Sequence, residues 1–127
     1  MRGQKISKAC LLVFIFLLVA CSSQPYALIE TDRTVSTDPK VHATYLVTLD
    51  GKAVLTPSPY RVTPGLHTIQ VGSLRTGDGN NRELQINIEP CIKYIIVAVH
   101  ESNLWNIKRW EAKIARQLPI RNCKVID

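Results

Sequence analysis

Residues 103–118, NLWNIKRWEAKIARQL, decide the fold class, and they can be read in two ways. Leu104, Ile107, Trp110, Ile114 and Leu118 recur at spacings of three and four, as on one face of an amphipathic helix begun by Ser102. Trp110, Ala112, Ile114 and Leu118 equally mark one face of a strand, with Arg116 as the misfit. Periodicity does not choose between them. The first reading gives a mixed domain and the second an all-β one.

Upstream, the chain is punctuated at β spacing. Val41, Ala43, Tyr45, Val47 and Leu49 alternate with His42, Thr44 and Thr48, the period-2 signature of a strand with one buried face. Asp50-Gly51 supplies the positive-φ chemistry of a tight hairpin, from which Ala53 to Leu55 would return. Thr56 to Pro59 breaks the pairing, Tyr60 to Val62 resumes it, and Pro64-Gly65 predicts a turn before a strand over Leu66 to Val71. Residues 72–82, GSLRTGDGNNR, read as a mobile hairpin end. Leu84, Ile86 and Ile88 form another one-sided strand. Tyr94 to His100, YIIVAVH, is apolar on both faces and is expected at the centre of the sheet.

The segment from Tyr60 through Pro64-Gly65 to Val71, with Leu49-Asp50-Gly51-Lys52 before it, resembles the PEGA-like modules of bacterial envelope proteins. Ile92-Lys93-Tyr94, Trp110 to Ile114 and Ile120 to Cys123 extend a similarity to small lipoproteins built on that module, over residues 41–123. The resemblance implies an immunoglobulin-like or transthyretin-like sandwich, with Trp110 to Leu118 extended and no catalytic residues. The expected fold is therefore all-β, a small antiparallel β-sandwich over residues 41–127. Its expected core draws on Tyr45, Val47, Ile69, Val71, Ile86, Ile88, Ile95, Val97, Val99, Trp110 and Ile114.

At the amino end, Arg2, Lys5 and Lys8 precede a 12-residue apolar run from Ala9 to Ala20, the order of a cleaved secretory signal over residues 1–20. The run is well short of the roughly 20 residues that cross a bilayer. Leu18-Val19-Ala20-Cys21 looks like a bacterial lipobox, which implies diacylglycerol on the Cys21 sulfur and fatty acid such as palmitate on its new amino terminus. Residues 21–40 are the lipidated amino terminus and linker, with a short strand at Ala27-Leu28-Ile29 and a polar loop carrying Asp38-Pro39.

Processing also changes the charge. The chain has 16 Lys plus Arg against 10 Asp plus Glu, and three basic residues leave with the signal, so 13 against 10 gives +3. Such a balance does not argue for nucleic acid. Cys10 is discarded, Cys21 takes lipid, and Cys91 and Cys123 remain as a pair for an oxidising periplasm, the alternative being two separate buried thiols. Without CxxC spacing or a nearby His pair, zinc is not expected.

No nucleophile elbow, HExxH or phosphate-cradling loop is present; Gly77-Asp78-Gly79 lacks a following helix. His42, His67 and His100 are far apart in sequence and could converge only through the fold. Asp50 and Glu101 sit in turn positions and are assigned turn chemistry rather than acid–base work. Trp105, Lys108 and Arg109 form a candidate ligand surface, while Trp110 is assigned to the core.

The expected function is a non-enzymatic structural or interaction lipoprotein without cofactor, held in the membrane by the lipid on Cys21. Ser22 after the lipidated cysteine, rather than Asp, leans to the periplasmic face of the outer membrane. The partner would be an envelope protein. The alternatives are a peptidoglycan-binding or other glycan-binding module using Trp105 and residues 72–82, and a small envelope hydrolase.

Overall fold

The computed structural model describes residues 24–33, 36–77, 80–101 and 109–124. The signal segment 1–20, Cys21, Trp105 and Lys108 lie outside the described residues, as do Leu104 and Ile107 of the helical reading. Within them the disputed segment is a strand, and the architecture is all-β.

Among the described residues eight strands follow in order: β1 (Ala27–Glu30), β2 (Val41–Leu49), β3 (Lys52–Ala53), β4 (Tyr60–Val62), β5 (Gly65–Ser73), β6 (Arg82–Ile88), β7 (Ile92–His100) and β8 (Trp110–Pro119). One layer is centred on β7. β8 runs antiparallel along the whole of one edge, from Ile92 opposite Pro119 to His100 opposite Trp110. The other edge is shared, with β1 against Lys93 to Ile95 and the start of β2 against Val97 to Val99. β4 adds outside β1. The remainder of β2 pairs with β3 and β5, and β5 with β6, to make the second layer. The sandwich is antiparallel but for one pair: β1 lies parallel to β7.

β2 is the corner that joins the layers. Its first three residues pair with β7 and the rest with β5, so it peels from one layer into the other at Thr44. There the Thr44 hydroxyl donates to the Ile96 carbonyl at 2.9 Å and the Thr44 carbonyl accepts from the Asp32 N–H at 2.7 Å. Backbone groups that lose a ladder partner at a corner need such replacements.

The corner corrects the expected core. Leu46 faces Val71 while Thr48 faces Gln70, so Val47 is the extra residue of a bulge, and the alternation changes phase across it. Leu49 packs against the core as its phase predicts, but Thr44 and Leu46 are the buried residues upstream, not Tyr45 and Val47. Tyr45 instead lies over Gly72, where a Cβ would fall inside its ring, and its hydroxyl donates to the Gly77 carbonyl at 2.9 Å.

Both layers feed one hydrophobic core. Ile69, Val71, Ile86, Ile88 and Trp110 belong to it as expected, and Ile114 packs against it. Ile95 and Val97 are buried but stand on the opposite face of β7, while Tyr94, Ile96 and Ala98 point inward. In register beside them stand Arg116 and Lys113 of β8, side chains whose aliphatic stems can cover apolar neighbours.

Two turns and one bridge set the ends of the molecule. Asp50-Gly51 closes the β2–β3 hairpin with both residues at positive φ, +50° and +81°. Pro64-Gly65, in contrast, closes no hairpin. β4 lies outside β1 and β5 lies between β2 and β6, so this turn carries the chain between layers, with Gly65 at φ +124°. Cys91 and Cys123 form the expected disulfide, with Cα atoms 5.4 Å apart. It ties the carboxyl tail to the start of β7, at the end of the sandwich where Tyr26 also enters.

Candidate functional site

At the opposite end, β5, β6, β7 and β8 bring Ser73, Arg82, His100 and Trp110 together. His100 is fully buried, with its Nε2 2.7 Å from the Ser73 hydroxyl oxygen and its ring stacked on Trp110 at 6.0 Å between centroids. His42 from β2 meets His100 edge to face at 5.1 Å. Arg82 closes the stack: its guanidinium lies 5.0 Å from the Trp110 centroid, and its Nε donates to the Trp110 carbonyl at 3.0 Å. A second nitrogen of Arg82 donates to Asn80 Oδ1 at 2.8 Å. Arg82 thus spans from β6 to the start of β8, where no ladder joins the two strands.

Beside this stack is an open cleft of about 580 Å³, lined among others by Arg82, Val99, His100, Glu101, Arg109 and Trp110. Arg109, the described member of the predicted ligand surface, stands at its mouth and faces Glu101 at 3.7 Å. Both side chains are largely exposed, so this pair adds little to stability. Trp110 is only 5 % exposed, in keeping with its assignment to the core, and its buried Nε1–H has no hydrogen-bond partner among the described residues. Arg82 and His100 both lie against its ring, so little of Trp110 is open to the cleft.

The three histidines do not form one site. His42 and His100 are neighbours, whereas His67 lies on β5 with Asp50 and Thr63. Among the described residues no three His, Cys, Asp or Glu side chains are grouped so as to hold a metal ion. Asp50 acts in the turn as its position suggests: Oδ1 accepts from the Thr68 N–H at 2.9 Å, and Oδ2 lies 2.6 Å from His67 Nδ1. The Thr68 N–H, then the His67 hydrogen bond, hold the Asp50 carboxyl below its usual range. For His67, burial is the largest single influence and opposes protonation. The Asp50 hydrogen bond, the Thr63 carbonyl and the Asp50 charge together outweigh it, so its pKa is raised.

Sequence reasoning named Arg109 individually and took in Ser73 and Arg82 only as members of the loop from Gly72 to Arg82. The loop composition of residues 72–82 marked their neighbourhood, but nothing local paired Arg82 with Trp110. Comparison with protein-family models, curated proteins and solved structures gave no significant match.

Proposed function

We propose that this chain is the precursor of a non-enzymatic envelope lipoprotein, anchored through Cys21 on the periplasmic face of the outer membrane and acting as a structural or protein-interaction module. The observation that carries the reading is the order of the amino end: basic residues, an apolar run too short to span, then Leu18-Val19-Ala20-Cys21. The Cys91–Cys123 bridge supports it, because such bonds persist in oxidising compartments. Fatty acid labelling of cells expressing the chain is expected to tag the wild type and not Cys21→Ser, with the wild type in the outer-membrane fraction. Labelled Cys21→Ser protein would sink the proposal.

A second reading, an envelope glycan-binding module, is favoured by the cleft at Arg82 and Arg109. The lining carries both signs of charge, with Glu101 and Glu111 beside Arg82 and Arg109, so this reading extends to neutral as well as charged saccharides. Retention of the wild type but not Arg109→Gln on immobilised peptidoglycan would promote it over the first.

A further inference from the structure

We propose that the end of the sandwich from which the amino-terminal tether leaves lies against the anionic phospholipid headgroups of the membrane that holds Cys21, with Arg61, Arg121 and Lys124 as the contacting cations. This rests on lipid attachment at Cys21.

The covalent reach is short. Gln24 is three residue steps from Cys21, and an extended chain spans at most about 3.6 Å per residue, so Gln24 sits within about 11 Å of the lipid-bearing residue. Gln24, Pro25 and Tyr26 line a concavity of about 210 Å³ together with Arg61, Asn122 and Lys124. This end is held firmly. The Tyr26 carbonyl accepts from the Cys91 N–H at 2.7 Å, Cys91 is bonded to Cys123, and the Ile120 N–H donates to the Cys91 carbonyl at 2.9 Å. Arg121, Asn122 and Lys124 are thereby fastened beside the point where the tether enters β1.

The charge at this end suits phosphate. The Arg61 guanidinium lies over the Tyr26 ring at 3.9 Å, a stacking that leaves its N–H edge to bind oxygen. Among the described residues Arg61, Arg121 and Lys124 face no carboxylate, whereas Arg33 and Lys93 pair with Glu30, Arg109 with Glu101 and Lys113 with Glu111. Among the described residues two acids share the end: Asp50, engaged by His67, and Glu89, two residues before Cys91. A cation near an anionic leaflet adds roughly fivefold to apparent affinity, a gain that salt screens.

The test uses the processed full chain purified from cells, whose intact mass first reports whether Cys21 carries lipid. The protein is reconstituted into vesicles of phosphatidylcholine alone or mixed with phosphatidylglycerol. Hydrogen exchange is followed over residues 60–64 and 119–124, with residues 72–76 at the opposite end as reference. Slower exchange at the tethered end is expected in the mixed vesicles alone, and is lost in high salt and in the Arg61→Gln, Arg121→Gln, Lys124→Gln triple variant. The reference region should not change; if the triple variant disturbs it, the exposed single substitution Lys124→Gln decides, with partial loss expected. Equal exchange in the two vesicle types with lipid on Cys21 overturns the headgroup contact and leaves the lipoprotein reading standing. Absence of lipid mass overturns both. The same protection from inorganic phosphate without vesicles assigns these cations to a soluble anion and overturns the membrane contact.

Discussion

His67 sets both ring nitrogens against oxygens: Nδ1 lies 2.6 Å from Asp50 Oδ2 and Nε2 2.7 Å from the Thr63 carbonyl. A carbonyl only accepts, as does a carboxylate, so the ring satisfies both as the doubly protonated imidazolium. The folded state therefore binds the His67 proton more tightly than the unfolded state. That contribution to stability is full below the unfolded value of 6.5 and is lost as pH rises through the raised folded value. Asp50 behaves oppositely: its contribution is present above 3.8 and disappears as pH falls through its lowered folded value. Thermal midpoints of the wild type should fall between about pH 5.5 and about pH 8.5, and those of His67→Gln should fall less over the same interval. Identical pH profiles for the two proteins would remove His67 from the account. Nothing in the sequence placed His67 beside Asp50, because the contact joins residues 17 apart through the β2–β5 pairing.

At the scale of the element, most strands were legible because turn residues and alternation agree. The Asp50-Gly51 hairpin, the one-sided β6 and the two-sided β7 follow directly from composition and period. Two features were not. The phase of β2 depends on a bulge at Val47, and an apolar residue at a bulge looks the same in sequence as one in a regular strand. β8 has a similar irregularity: Ile96 faces Ile114 while Ile95 faces Arg116, so Ala115 is the extra residue there. The bulge breaks the strand face drawn through Trp110, Ala112, Ile114 and Leu118: Arg116 and Leu118 both fall after it, opposite Ile95 and Lys93, on the outer side. The bulge also interrupts the edge that β8 presents, a recurrent way to discourage edge-to-edge pairing. The phase of β2 is testable by truncation. Leu46→Ala should cost about 2 to 5 kcal/mol in denaturant unfolding, as other deletions of buried leucine do, and Val47→Ala distinctly less. The reverse order would restore the unbroken alternation of the sequence reading. The candidate cleft was less legible than any strand, since Ser73, Arg82, His100 and Trp110 come from four elements and only their ladders bring them together.

For the whole molecule, the disulfide closes a loop that contains β7 and β8, its cysteines standing 32 residues apart in sequence. In the chain-entropy description a loop of this size stabilises by about 3 to 4 kcal/mol, against a net stability of about 5 to 15 kcal/mol for a domain. Within the loop, however, β8 pairs with β7 along its entire length and its inward residues join the core at Trp110 and Ile114. Those interactions do not need the bridge. The tail beyond β8 does, because Arg121 to Lys124 is held to the sandwich chiefly through Cys123, supported by the hydrogen bond from Ile120 to Cys91. Replacing Cys91 and Cys123 together by Ala should therefore have two separable effects. The denaturant midpoint should fall by the equivalent of about 3 to 4 kcal/mol in a transition that remains cooperative, with a β-type circular dichroism spectrum retained under native conditions. Amide exchange should rise sharply over residues 120–124 and little within β7, whose hydrogen bonds open only with the core. An unchanged midpoint would mean that the bridge adds nothing the sheet does not already supply. Loss of the β spectrum would mean that β8 cannot stay on β7 unless the tail is tied, and that the core alone is too small to hold the last strand.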